Sequence, residues 1–198
     1  MATKTQITEM QSFANRAGVP LAVTGRNNWY TRRFVSTFQA AMCLGAYAHT
    51  PLVVDGDPGP ATMEAVSMCE DHGMRLSANF KITEFLTKGE RKVTWQNEVV
   101  KVDRQLVLSL QKLRDNAATG IWLLSAYRDP AHNKRIGGAT RSQHLFGKAV
   151  DLDRKRSPRI SESAARAAGF NGIGMLSRTS PDVIHMDVRA TTARWYYQ

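Results

Sequence analysis

Three short stretches carry side chains able to hold a metal ion or move a proton, all in the second half of the chain. They are Ser142-Gln143-His144, Ala149-Val150-Asp151-Leu152-Asp153 and Asp182-Val183-Ile184-His185-Met186-Asp187. The latter two alternate between apolar and polar residues, the period of a strand with one buried face. In such a strand Asp151 and Asp153 point one way while Val150 and Leu152 face a core. The same rule places His185 and Asp187 together on a polar face. Two such strands side by side bring carboxylates and an imidazole within reach of one ion.

His144 stands seven residues before Asp151. A continuous helix would separate such positions by roughly 10 Å, too far for two ligands with ~2 Å bonds to one ion. The chain must therefore turn between them, and Gly147 is available for the turn, with Lys148 opening the strand. Two histidines and one carboxylate leave a coordination position open, the arrangement of catalytic rather than structural zinc sites. By residue type alone Asp153 and Asp187 stand as alternative ligands. Asp187 also fits a role behind the ligands, orienting an imidazole.

The stretch Ser142 to Asp151 resembles the "SxHxxGxAxD" motif of the zinc D-alanyl-D-alanine carboxypeptidase family, peptidase M15 type. Asp182-Val183-Ile184-His185 is similar to its second motif, an acidic residue three positions before the last histidine ligand. Arg128, in Ser125-Ala126-Tyr127-Arg128-Asp129-Pro130, sits where the family carries its substrate-polarising arginine. The likeness extends over most of residues 76 to 197, including an opening "LSxxFxxxEF" pattern from Leu76 to Phe85. It implies Zn2+ bound by His144, Asp151 and His185, Asp182 as general base, and Arg128 stabilising the oxyanion. Ser142, Tyr127 and His132 are expected to line the substrate cleft. The family includes D,D-dipeptidases and phage endolysins that cut the L-alanyl-D-glutamate bond. The implied reaction is hydrolysis of an amide bond in the peptidoglycan stem peptide or cross-link. The implied fold is α+β, an antiparallel sheet of the Hedgehog/DD-peptidase type with helices on one side.

Ahead of this region the pattern is helical. Ile7, Met10 and Phe13 recur at helical spacing, and Trp29, Phe34, Phe38 and Met42 form a second stripe read as core. A turn cluster at Asp55-Gly56-Asp57-Pro58-Gly59-Pro60 precedes a third helix from Ala61. From Val54 to Thr62 the chain resembles the "DGxxGPxT" turn of small three-helix peptidoglycan-binding domains, a likeness covering roughly residues 28 to 72. The expected organisation is a small all-α domain at residues 1–75 and the catalytic domain at residues 76–198. Its seam lies at residues 73 to 80, where Gly73 ends the helical pattern and a cap-like Ser77 appears. Further on, Val99, Leu106, Leu110 and Leu113 mark an amphipathic helix, and Ile121 to Ala126 reads as a buried strand.

Composition narrows the functional classes. The 198 residues carry a formal charge of +10, which attracts polyanions such as nucleic acid, membrane surfaces or anionic cell-wall polymers. A nucleic-acid-binding protein explains the charge but not the ligand spacings. Only Cys43 and Cys69 are present, which excludes a disulfide scaffold and a cysteine-rich zinc module and favours two buried thiols. The first residues lack the apolar run of a signal peptide, and no later run reaches membrane-spanning length. The expectation is a monomer made in a host cytoplasm, not inserted in a membrane, that reaches peptidoglycan through a separate pore. The competing reading is a non-catalytic wall-binding or virion-associated protein with a structural metal. Trp195, Tyr196 and Tyr197 are read as sealing the edge of the sheet.

Overall fold

The computed structural model describes residues 1–85, 101–175 and 182–196. Three helices come first. α1 (Lys4–Arg16) opens with a capping box, in which Thr3 and Gln6 each satisfy the other's backbone N–H. α2 (Trp29–Ala41) is capped by Asn28, and α3 (Pro60–Asp71) begins with proline, whose missing N–H costs nothing in a first turn. Phe13, Phe34 and Phe38 pack edge to face or tilted between α1 and α2. Trp29 does not belong to this core: it is 52% exposed and stands against Tyr30 with Arg33 over its ring. Five residues of helix rotate it roughly 140° away from Phe34, which sets the buried stripe.

Crossing residues 73 to 80, the chain stays tied to both sides. Leu76 and Phe80 are buried, and Leu76 accepts a hydrogen bond from the Cys43 N–H at 2.7 Å. Ser77 caps no helix; its hydroxyl bonds to Gln111 at 3.0 Å. Gln111 lies on α4 (Arg104–Ala117), whose stripe of Leu106, Val107, Leu110 and Leu113 is buried as the periodicity predicts. Val99 lies outside the described residues. Arg104 reaches back to donate to the carbonyls of Met42, Tyr47 and Ala48 at 2.6–2.8 Å. One buried apolar cluster runs from Met10 through Leu110 to Met186.

The second half is built on a five-stranded sheet with α5 (Pro130–Arg135) and α6 (Glu162–Ala168) in its connections. Its strands are β1 (Leu123–Ser125), β2 (Ala149–Asp153), β3 (Gly172–Met175), β4 (Val183–Asp187) and β5 (Ala193–Tyr196), in the order β1-β2-β4-β3-β5. All neighbours are antiparallel except β3 and β5, which run parallel. The sheet is therefore mixed rather than wholly antiparallel, because the chain leaving β4 crosses β3 before returning beside it. Val150, Leu152, Ile184 and Met186 share the buried cluster with the helices, which turns the opposite face of β2 and β4 outward. Among the described residues no helix is long and apolar enough to cross a membrane. Both cysteines are free and buried, and burial raises their thiols to about 11 for Cys43 and about 12 for Cys69.

Candidate metal centre

Pairing of β2 with β4 sets Asp151 directly opposite His185, so the two side chains rise from one face. His144 arrives from a single 3-10 turn, Gln143–Phe146, that closes on Gly147. Gly147 has φ +67°, and a Cβ there would lie 2.2 Å from the Lys101 carbonyl. Backbone conformation and space thus both demand glycine at the turn that swings His144 over the strands.

The three side chains meet through one atom each. His144 Nε2 lies 3.2 Å from Asp151 Oδ1 and 3.1 Å from His185 Nδ1, and His185 Nδ1 lies 3.0 Å from Asp151 Oδ1. The far nitrogen of each ring is engaged elsewhere. His144 Nδ1 donates to the Ala126 carbonyl at 2.5 Å, and His185 Nε2 donates to Asp187 Oδ2 at 3.0 Å. Those bonds fix the tautomers, leaving two nitrogen lone pairs and a carboxylate oxygen facing one another. Three acceptors at such distances repel unless a proton or a metal cation sits among them. His144 and His185 are 1% and 6% exposed, so bulk water does not relieve the repulsion.

The titration directions express the same demand. Burial is the largest influence on His144 and lowers its pKa. Burial also acts downward on His185, but the Asp151 and Asp187 carboxylates, which accept hydrogen bonds from the protonated ring, outweigh it and the pKa is raised. Asp151 is pushed up by burial, yet the two imidazoles hold it far below the usual carboxylate range. A tetrahedral zinc with bonds of ~2.0–2.2 Å spaces its ligand atoms by ~3.3–3.6 Å. The observed triangle of 3.0–3.2 Å is slightly tighter. Two nitrogens and one oxygen are the donor set of an open zinc site, so the residues present fit the ion.

Behind the cluster stands Asp187, fully buried on β4. Arg189 grips it with Nε to Oδ1 at 2.7 Å and Nη2 to Oδ2 at 2.6 Å. A Cβ on Gly172 would sit 2.2 Å from Asp187 Oδ2, so the carboxylate packs on the bare backbone of β3. Burial pushes Asp187 up, but His185 and Arg189 overcome it and keep the group ionised. Trp195 closes the stack, 5.2 Å from the His185 ring and 4.9 Å beneath the Arg189 guanidinium.

Arg128 binds Asp151 Oδ2 through Nη2 and Ser125 Oγ through Nε at 3.0 Å. The register of β1 on β2 shifts between Leu123 and Ser125, which brings Ser125 opposite Asp151. Asp129 does not pair with Arg128; it caps α5 by accepting the His132 N–H at 2.8 Å. Arg128, His144, Asp151 and His185 all line a cleft of about 660 Å³, together with Ser142, Gln143, Arg141, Arg189, Trp195 and the Ile136–Ala139 segment.

Three other expected site residues lie elsewhere. Tyr127 is 3% exposed and belongs to the core. His132 sits on α5 with Nδ1 2.9 Å from Arg135; neither residue is among those lining the cleft. The Asp182 side chain, just ahead of β4, is 46% exposed and pairs with Lys155 at 2.6 Å. Trp195 does lie on edge strand β5 and also faces the cleft, whereas Tyr197 is outside the described residues. Nothing in type or spacing marks Arg141, although the adjoining Gly137-Gly138 pair signals a loop. Arg189 has a readable signal, since the alternation of the sequence from Val183 runs on to it, two positions beyond Asp187.

Comparison with known proteins agrees with this geometry. The chain is 27% identical over 150 residues to the zinc D-Ala-D-Ala carboxypeptidase of Streptomyces albus G, across 68% of its own length. It spans about half of that relative, 51%. The cofactor indicated by that relative and by the His-Asp-His cluster is zinc. Residues 78–187, which contain the whole cluster and the arginine beside it, match the peptidase M15 family, and the chain belongs to that family.

Proposed function

We propose that this chain is a zinc-dependent peptidase that hydrolyses an amide bond of peptidoglycan, in the stem peptide or the cross-link. The observation that carries the reading is the triangle of acceptor atoms from His144, Asp151 and His185, which opens into a cleft instead of being sealed. A structural ion is enclosed by its ligands, whereas a catalytic one keeps a side open to substrate. When bound, zinc acts as a Lewis acid and makes water nucleophilic near neutral pH.

The protein's own groups divide the remaining work. His144, Asp151 and His185 hold the ion, with Ala126 and Asp187 fixing the rings. Arg128 lies at the edge of the cluster, where its permanent charge stabilises an oxyanion developing on the scissile carbonyl. Asp182 accepts a proton from the attacking water and returns it to the leaving amine. To do so its carboxylate must leave Lys155, a small demand because exposed ion pairs are worth only ~0–1 kcal/mol.

The finer assignment is a bacteriolytic endolysin of the D-Ala-D-Ala carboxypeptidase or L-Ala-D-Glu endopeptidase type, working as a monomer after release through a pore made by another protein. The relative's activity supports the carboxypeptidase type, and the basic charge suits work on anionic wall polymers. The helical region at residues 1–75 then serves wall binding, on the strength of its Asp55–Pro60 turn. A second reading keeps a structural metal in a non-catalytic wall-binding or virion protein. It draws on Asp182, whose carboxylate rests on Lys155 rather than in the cleft.

Mass spectrometry of peptidoglycan fragments after digestion separates the two. New amine ends released by the zinc-loaded wild type, absent after chelation and from Asp182→Ala, are expected and identify the bond. Equal products from Asp182→Ala remove the proposed base, and no products from the zinc-loaded wild type favour the structural-metal reading.

A further inference from the structure

Among the described residues three arginines line the cleft, and they differ in what holds them. Arg128 is engaged by Asp151 and Ser125. Arg189 is engaged by both oxygens of Asp187 and stacks on Trp195. Arg141 is exposed and, among the described residues, makes no ion pair and no side-chain hydrogen bond.

The backbone that carries Arg141 is nevertheless anchored. Asn133 is 3% exposed beneath it, donating from Nδ2 to the Ala139 carbonyl at 3.0 Å and accepting the Gly138 N–H on its own carbonyl at 2.8 Å. A Cβ on Gly138 would fall 2.2 Å from Asn133 Oδ1, so the loop lies directly on that amide. The Ser142 N–H closes on the Ala139 carbonyl at 3.0 Å, and His144 follows two residues later. Arg141 is thus a free guanidinium on a fixed base beside the metal centre.

Charge completes the case. Asp151 balances Arg128, and Asp187 balances Arg189. Among the described residues, what is left uncompensated at the cleft is Arg141, together with the dication that the cluster takes up. Such a cleft selects an anionic group close to the bond being cut, and a guanidinium fork matches a carboxylate with two parallel hydrogen bonds.

We propose that Arg141 determines specificity by binding a free carboxylate of the peptide substrate near the scissile amide. The proposal rests on the peptidase reading above. The carboxylate has two possible sources of the same chemistry, the C-terminus of the leaving residue or the α-carboxylate of an internal γ-linked glutamate.

The test is calorimetric binding of non-hydrolysable stem-peptide analogues to the zinc-loaded chain. One analogue ends in a free carboxylate, one ends in an amide, and one is amide-terminated but contains a γ-linked glutamate. Wild type is expected to bind one carboxylate form about 10- to 100-fold more tightly than the plain amide, the worth of one charge-assisted pair. That form identifies the source. Arg141→Gln should reduce the preference to within about twofold while leaving affinity for the amide unchanged, and Arg141→Lys should fall between. Absence of the preference in wild type, or its survival in Arg141→Gln, overturns the proposal. Hydrolysis of the matching cleavable peptides, followed in parallel, keeps the two readings apart. Preference without hydrolysis preserves the carboxylate site and sinks the peptidase, whereas hydrolysis without preference does the reverse.

Discussion

Two buried polar clusters, one in the helical half of this chain and one in the sheet half, are satisfied in opposite ways. In the helical half Gln39, 1% exposed, donates to Asp55, Asp57 and Thr62 and accepts the N–H groups of Asp55 and Gly56. Gln11 does the same for Thr24, Gly25, Arg26 and Thr31. Each amide is saturated by its own fold and ties a loop to a helix. In the sheet half His144, Asp151 and His185 turn acceptor toward acceptor, and among the described residues no side-chain donor lies between them. Buried polarity that is satisfied internally specifies structure, whereas buried polarity left facing itself specifies a ligand.

Beside the loss of products expected of Asp182→Ala, the largest effect expected from a single substitution tests the sheet half. Arg128→Ala should lower kcat of the zinc-loaded protein on peptidoglycan fragments by about 100-fold or more, the worth of one oxyanion donor. Arg128→Lys should restore little, because an ammonium cannot reproduce the fork that reaches Asp151 and Ser125 together. Unchanged kcat in Arg128→Ala would reduce that residue to a structural clamp on Asp151.

A smaller effect should follow behind the ligands. Asp187→Asn should weaken zinc affinity about 10- to 100-fold in competition with a chelator, with the fold intact by circular dichroism. The pH dependence gives its sign. Asp151 and Asp187 raise the pKa of His185 in the metal-free protein, so zinc must displace a proton at pH values where an ordinary histidine has already lost it. Zinc affinity should therefore fall as pH is lowered through that raised value, and Asp187→Asn should move the onset to lower pH. An onset that does not move would mean that Asp187 leaves His185 unperturbed.

The smallest effect belongs to the helical half. Gln39→Ala should cost about 1–3 kcal/mol of stability in denaturant unfolding, since it strands several buried partners, while zinc affinity stays unchanged. A loss of zinc from that variant would break the contrast between the halves.

Much of the sheet half is legible in its residues because strand alternation is local. Residues 149–153 and 183–187 alternate cleanly, and pairing the two polar faces places Asp151 opposite His185, as found. Gly147 announces the turn that delivers His144 because only glycine fits there. The other strands depend on partners distant in sequence. Gly172-Ile173-Gly174 shows no alternation, and its parallel pairing with β5 is a non-local choice that makes the sheet mixed. Trp29 reads as part of an apolar stripe in the sequence yet lies outside the packed arc, because five residues of helix turn it roughly 140° from Phe34. The wall bearing Arg141 depends on Asn133 lying under Gly138, a loop contact with no period to read.

Crystallography of the zinc-loaded protein at the zinc absorption edge tests the central claim most directly. One anomalous peak is expected within ~2.0–2.2 Å of His144 Nε2, Asp151 Oδ1 and His185 Nδ1 together. A peak bound through other atoms, or none at this cluster in protein that holds zinc, would contradict it.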